Sequence, residues 1–448
     1  MSMGRSGAMK KLGSMLSGLG LGVVVVVGLA AWIVLPWPVL LALALAFSGW
    51  MLASRSGRQA GSVTRVGVST LPQRLGASSV VVIGIAGVVA VLVALLAMAE
   101  GYRQTVASTG DEGTAIVLRG GSGAEVLSVL SRENVVTIAQ MPQVARSADN
   151  VPLASAELVV AASLTRRGTA DEDGSVQLRG VDPIAWEVRP AMRVVEGRAP
   201  QSGRRELVVG RGARQQFAGL EPGGEIRLGP DLWQVVGVFE SGDAMESEIW
   251  GDAGIVATTY RRGSSRNSLT LRLADPAVFE AFETALDDDP RLEVEVETTA
   301  DYFARQSEGM TTLLRIIGIV VGSIMAIGAV FGALNTMFAT VAARAREIAT
   351  LRAIGFGGLP VVVAVMLETM LLAAIGGALG GLLAWLVFNG YTASTLAGGV
   401  GQLTFEFQVT PGLLWNGLKW ALAIGFVGGL FPAVRAARLP VTTALRAA

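Results

Sequence analysis

The string "VVVIGIAGVVAVLVALLAM", residues 80–98, holds nineteen residues without a charge. At 1.5 Å per residue a helix of that length reaches roughly 28 Å, about one hydrocarbon core. A backbone in lipid must satisfy its own hydrogen bonds, so several continuous runs of this kind confine a chain to a helical membrane bundle. Three more runs follow, at about 313–340, 361–388 and 412–434. An earlier one covers 19–53 and is broken by "PWP" at 36–38. That run is too long for one ordinary span. Two prolines near its middle predict a tight helical hairpin, with Trp32 and Trp37 at its outer interface. A cleaved signal peptide is the competing reading of 1–31. Lys10 and Lys11 would form its basic region, but no clean A-x-A site follows.

Charge is distributed just as unevenly. No acidic residue precedes Glu100, and only Glu347, Glu368 and Glu406 follow residue 310. Residues 100–308 therefore hold 33 acidic against 21 basic residues, a formal −12, and the flanks hold +12. Such a division predicts an acidic soluble domain set into a membrane frame. The short loops orient it, because basic residues stay inside. Arg55, Arg58, Arg65 and Arg74 lie in 54–79, and Arg344, Arg346 and Arg352 lie in 342–360. Arg435, Arg438 and Arg446 lie in the tail, whereas 389–411 has no basic residue. Six spans satisfy this pattern, with both termini inside and 100–308 and 389–411 outside.

The outside segment reads as mixed α/β. Strand-like runs begin at residues 115, 157, 175, 205, 225, 233, 268 and 292, and helical runs cover about 123–140, 182–189 and 276–287. Asp275 and Pro276 suit the cap and first position of the last helix. The acidic triplet at 287–289 lacks EF-hand spacing and reads as solvated surface.

The absence of cysteine and histidine excludes disulfides, thiol nucleophiles, common zinc sites and a Ser-His-Asp triad. Lysine occurs only at Lys10, Lys11 and Lys419, and no G-x-x-x-x-G-K-[ST] phosphate loop is present. No nucleophile–base pair can be assembled, so the chain is not expected to be an enzyme. "GGSG" at 120–123 reads as a turn. Nothing points to nucleic acid.

Between two apolar runs stands "ARAREIATLRAIGF". From Val341 to Ile354 apolar residues recur at Val341, Ala345, Ile348, Leu351 and Ile354, close to helical spacing. Gly355 and the "GFGG" that begins there end the pattern. The spacing predicts that a membrane span runs on as a stiff helix, stops and turns back. By its residues alone this element is equally a positive-inside anchor whose arginines snorkel or a rigid contact for a partner.

The residues from Asn335 to Phe356 ("NTM…VAARAREIATLRAIGF") resemble those of ABC transporter permeases of the MacB/FtsX type. Similar too are "LETMLLAAIGGALGGLLAWL" from 367, the tail "FPAVRAARLPVTTALRA" from 431, and the outside strings "VEGRAP…RRELVVGRGARQQFAGLEPGGEI…WQVVGVFESG". The resemblance covers about 65–448. It departs at Ala343, where such chains often carry Glu, and the N-terminal hairpin lies outside the usual four-span core.

The resemblance implies an α-helical transmembrane bundle with a large mixed α/β extracytoplasmic domain, in a bacterial inner membrane. Beside the N-terminal hairpin read at 1–60, it implies an amphipathic segment and first core helix at 61–99, the outside domain at 100–308, and three more spans at 309–448. The coupling helix would occupy 341–355. A cytoplasmic ABC ATPase in a separate chain would bind ATP and magnesium and dock on Arg344, Arg346, Glu347, Thr350, Leu351, Arg352, Ile354 and Gly355. Glu347 and Arg352 are the charged contacts and Leu351 and Ile354 the packing ones. The helix would then carry ATP-driven motion to the outside domain for export or release of a substrate. The implied partners are a second permease, identical or related, membrane lipids and a periplasmic adaptor. FtsX-like signalling to a periplasmic partner, without transport, is the alternative.

Two polar residues fall inside predicted spans. Asn335 is one. Glu368 is the other, and a carboxylate there costs about 2.5–3.5 kcal/mol, so it must have a role, structural or proton-relaying. Gly376/Gly380, Gly377/Gly381 and Gly425/Gly429 have the small-xxx-small spacing of close helix packing, within the chain or across a dimer. Lys419 is expected to snorkel.

Overall fold

The computed structural model describes residues 35–168, 172–396 and 402–438, with Gly28, Ala31 and Trp32. The chain divides into two units, one of 1–97, 316–389 and 409–448, the other of 98–315 and 390–408.

The first unit is built from helices. They are α1 (Trp37–Ala53), α2 (Arg55–Ser69), α3 (Leu75–Ala107), α4 (Thr299–Ala343), α5 (Ala345–Ala353), α6 (Gly358–Phe388) and α7 (Pro411–Arg438), with α3 and α4 continuing into the other unit. Among the described residues four are long and apolar enough to cross a membrane: α3, α4, α6 and α7. These coincide with the four runs after residue 80. Of the expected N-terminal hairpin, the second half is α1. The first half lies outside the described residues apart from Gly28, Ala31 and Trp32.

After α1 the chain bends by 97° into α2. Ser54 caps the new helix, accepting from the Gly57 amide at 2.8 Å. A Cβ at Gly57 would strike the Trp50 carbonyl, so the bend needs glycine there. Helix α2 is amphipathic. Gly57, Ala60, Val63 and Gly67 are buried, and Arg55, Arg58 and Arg65 are exposed.

The glycine pairs pack within the chain. Cβ atoms on Gly376 and Gly380 would meet the carbonyls of Val82 and Ala86 on α3. On the other side of α6, Gly377 lies 2.7 Å from the Ala421 methyl on α7 by the same construction, and Gly381 lies 3.2 Å from Leu414. Gly425 and Gly429 on α7 return the contact to Ala373 and Thr369. Small residues let α6 approach both neighbours closely, and dispersion between touching backbones then holds them. Lys419 is buried on α7 rather than exposed, and Trp32 donates to its carbonyl at 3.2 Å.

The second unit carries a ten-stranded mixed sheet ordered β10-β1-β9-β2-β3-β8-β5-β7-β4, with β6 on β7. Its strands are β1 (Thr114–Arg119), β2 (Ala154–Thr165), β3 (Asp173–Val181), β4 (Arg193–Gly197), β5 (Glu206–Gly210), β6 (Glu225–Leu228), β7 (Asp231–Glu240), β8 (Glu248–Asp252), β9 (Ser268–Arg272) and β10 (Val294–Thr298). All eight strand-like runs form strands, and β4 and β8 are additional. Pairs β3–β8 and β5–β7 are parallel and the rest antiparallel. Asp275 caps a short 3-10 turn at Pro276–Val278, which leads into the helix Phe279–Asp287. The expected helix at 123–140 divides into a 3-10 turn, Glu125–Leu127, and a helix, Arg132–Ala139.

Two apolar cores result. Leu158, Leu178, Leu207, Phe217, Trp233 and Ile249 anchor one, and Leu130, Ile138, Leu269, Leu271 and Phe282 the other. The hairpin β11 (Thr392–Leu396) and β12 (Gln402–Glu406) adds Leu403 and Phe405 to a third cluster with Ala99, Tyr102 and Val106. The Thr404 amide donates to Ser247 Oγ at 2.9 Å.

Candidate functional site

The Arg-rich element is α5, and the expected unbroken helix is interrupted at its start. Helix α4 ends at Ala343, and Arg344, at φ −99° and ψ 10°, separates it from α5. The Arg344 amide is shared between the carbonyls of Thr340 and Val341, both at 3.2 Å. At the far end, Gly355 has φ +102°, which a glycine adopts without steric cost. The Phe356 amide reaches the Leu351 carbonyl at 3.1 Å and the Gly355 amide reaches that of Arg352 at 3.2 Å, forming a Schellman cap.

One side of α5 is rooted. Ile348 and Ala349 are buried, and Ile348 joins Met337, Val341, Val361, Val365 and Ala433 in an apolar cluster. The other side is open. Arg346, Glu347, Thr350, Ile354 and Gly355 are exposed, and Leu351 and Arg352 are half-buried. Ile354, 69% exposed, is a large apolar side chain presented at the tip of the turn.

Arg344 differs from the rest of its proposed set. It is buried, and its Nη1 donates to Glu368 Oε2 at 2.7 Å. The pair explains how a carboxylate is accommodated inside α6. A buried charge needs a partner and hydrogen bonds, and Arg344 supplies both. Arg344 Nε also donates to Glu347 at 3.2 Å, and Arg74 stands 3.9 Å from Glu347. Four charges thus form a line: Glu368, Arg344, Glu347, Arg74. Asn335 lies elsewhere, exposed on α4.

A second polar centre, which no sequence pattern announced, lies in the sheet unit. Arg179 on β3 is 1% exposed and surrounded by three carboxylates. It donates to Glu248 at 2.7 and 2.9 Å, to Glu125 at 2.8 and 3.0 Å, and to Glu157 at 2.7 Å. Arg189 adds two bonds to Glu157, Trp250 Nε1 one to Glu248, and Ser268 one to Glu125. Burial works to raise the Glu157 pKa, but the charges and hydrogen bonds of Arg189 and Arg179 prevail and hold it below the usual carboxylate value. Burial likewise opposes the Arg179 charge, yet the surrounding carboxylates raise its pKa further. A cavity of about 190 Å³ adjoins the centre, bounded in part by Asp111, Arg189, Asp243 and Thr270. Burial pushes the Asp243 carboxyl up.

Comparison with known proteins matches two successive parts of the chain. Residues 78–289 match the MacB-like periplasmic core domain, and 319–441 match the FtsX-like permease C-terminal domain. The chain is 26% identical over 389 residues to the pyoverdine export ATP-binding/permease protein PvdT of Pseudomonas aeruginosa, covering 82% of this chain and 55% of that one. It is 26% identical over 398 residues to the macrolide export ATP-binding/permease protein MacB of Nitrosomonas europaea, covering 82% and 56%. The chain therefore spans little more than half the length of these curated relatives. An uncharacterized ABC transporter permease, YvrN of Bacillus subtilis, is 25% identical over 403 residues, covering 82% and 93%. Among solved structures, the periplasmic region of MacB from Actinobacillus actinomycetemcomitans aligns with a TM-score of 0.33 and 12% identity, covering 42% of this chain and 90% of that one. With a MacB-like periplasmic core beside an FtsX-like permease domain, both in a chain with four membrane-length helices, this protein belongs to the MacB/FtsX family of ABC transporter permeases.

Proposed function

We propose that this chain is the membrane subunit of an inner-membrane ATP-driven export system, and that α5 is where its cytoplasmic ABC ATPase docks. ATP and magnesium are bound by that partner. The observation that carries the reading is the two-sided build of α5. Ile348 and Ala349 root it in the bundle, while Arg346, Glu347, Thr350 and Ile354 stand exposed beside a half-buried Leu351. An exposed isoleucine on an element that also presents exposed charges suits an anchor that fills a partner's pocket. ATP-driven movement of the partner would pass through α5 to α4 and so to the periplasmic domain, where substrate is moved or released.

A second permease copy is the other partner we propose. Only 22% of the most apolar stretch of α4 is buried, against 50% or more in α3, α6 and α7. Cβ atoms on its Gly328 and Gly332 would meet nothing within 4 Å, and Asn335 follows them, exposed. Small residues and an amide on a membrane helix favour a facing helix over lipid. A periplasmic adaptor would meet the outside domain.

The test is co-purification of the full chain with its ABC ATPase, comparing the parent with Glu347→Arg and Ile354→Asp. Loss of an interface anchor costs about 2 kcal/mol or more, so each variant should bind the ATPase about thirtyfold more weakly, or weaker still, and recover correspondingly less of it. Recovery equal to the parent in both variants would overturn the docking assignment.

A further inference from the structure

Helix α2 lies before both family-matched segments, which begin at residues 78 and 319. Its task is therefore to be read from its contacts. It does not press on α5 along its length. An apolar groove of about 330 Å³ stands between them, bounded by Val63 and Val66 of α2, Ile348 and Leu351 of α5, and Val361 and Val365 of α6. Helix α2 packs on α6 and reaches the start of α5 at Gly67. A Cβ on Gly67 would lie 3.0 Å from Glu368 Oε2 and 3.4 Å from Arg344 Nη2. Backbone of α2 therefore lies directly against the ion pair, and a side chain at Gly67 would make the pair give by a few tenths of an ångström.

Arg344 is also the residue at which α4 stops and α5 begins. One guanidinium thus meets α2 through Gly67, α6 through Glu368 and α5 through Glu347. The open groove beside this contact leaves α5 room to shift against α2.

We propose that the Arg344–Glu368 pair, seated under Gly67, is a latch that ties the docking helix to the N-terminal helix α2. Glu368 is then a positioning residue: it sets where Arg344 stands, and Arg344 sets the angle at which α5 leaves α4. Helix α2 becomes a moving part of the coupling machinery rather than a passive anchor. The inference rests on the docking reading for its consequence in the transporter, but the latch itself is a property of the permease.

The chain contains no cysteine, so paired labels can be placed cleanly. Ser62→Cys on α2 and Ala353→Cys on α5 are both exposed, and neither belongs to the proposed docking set. Spin labels there give the distance distribution between the two helices, measured on the full-length permease alone in nanodiscs. The expected result is one narrow distribution in the parent. It should broaden in Glu368→Gln, which keeps the shape and removes the charge, and in Gly67→Leu, which wedges the seat apart. An unchanged distribution in both variants overturns the latch. A change in Gly67→Leu alone overturns the part assigned to the ion pair, and a change in Glu368→Gln alone overturns the part assigned to α2. With the ATPase present, Glu368→Gln should keep the partner and lose the nucleotide-dependent distance change seen in the parent. Failure of the parent itself to hold the ATPase would count against docking while leaving the latch to stand on the permease data.

Discussion

Each unit of this protein buries an arginine among glutamates, and the two burials are built differently. Arg179 in the sheet unit is enclosed by Glu125, Glu157 and Glu248, with Arg189, Trp250 and Ser268 bonding the carboxylate oxygens in turn. Arg344 has one buried partner, Glu368, and one exposed partner, Glu347, beside an open groove. A polar network with all its members bonded specifies one arrangement, because any shift leaves a desolvated charge unpaired. A pair with a single strong bond and space beside it permits two arrangements. The first is the build of a part that must move as a rigid body. The second is the build of a joint.

The largest expected effect is therefore on the sheet unit. Replacing Arg179 by alanine leaves three buried carboxylates facing one another and should cost about 3–5 kcal/mol. Hydrogen exchange of the β3 amides in the full-length chain measures it. Protection equal to the parent would show that the network contributes nothing to rigidity.

Acid should attack the same centre next. The folded-state pKa of Glu157 lies below its ordinary value of 4.5, so the unfolded chain binds more protons as the pH falls. Its contribution is complete above the ordinary value and is lost as the pH drops through the lowered folded one. Asp243 acts with the opposite sign, because burial raises its pKa and stability falls as the pH rises from its ordinary value toward the raised one. The unit should thus lose β3 protection as the pH falls below that ordinary value, and the loss should disappear in a Glu157→Gln variant. Equal acid sensitivity in that variant would assign the transition to other carboxylates.

The frame was legible in the sequence because lipid imposes a long, one-dimensional signal. The runs after residue 80 fell on α3, α4, α6 and α7. Strands with clear flanking turns were legible for the same kind of reason. Strand β8, "EIWGD", was not, since it is short, buried nearly throughout and without alternation. Strand β4 carries little apolar pattern because it pairs at the sheet's end with most residues exposed. The break at Arg344 was hidden because helical spacing continues straight through it, and the residue at the break bonds to Glu368, twenty-four residues away. Glu368 announced itself only by its cost in a membrane. The Arg179 centre left no trace, because its partners sit 22, 54 and 69 residues from it and each looks like surface charge in isolation.

The smallest effect, and the sharpest, is expected at Glu368. Replacing it by alanine removes a bond from a guanidinium that retains Glu347 at 3.2 Å, whose side chain is 56% exposed. The orphaned charge is therefore partly compensated, and the cost should be about 1–3 kcal/mol, the loss of one charge-assisted hydrogen bond. Thermal unfolding of the two units, followed by hydrogen exchange in α6 and β3 together, places this value beside that for Arg179→Ala. A loss at Glu368 as large as the loss at Arg179 would mean that Arg344 is locked as tightly as the sheet centre, and the distinction between joint and rigid body would fail. A smaller loss, confined to α5 and α6, is what a joint requires: it has to hold its position at rest and release it for an energy that a partner's binding can supply.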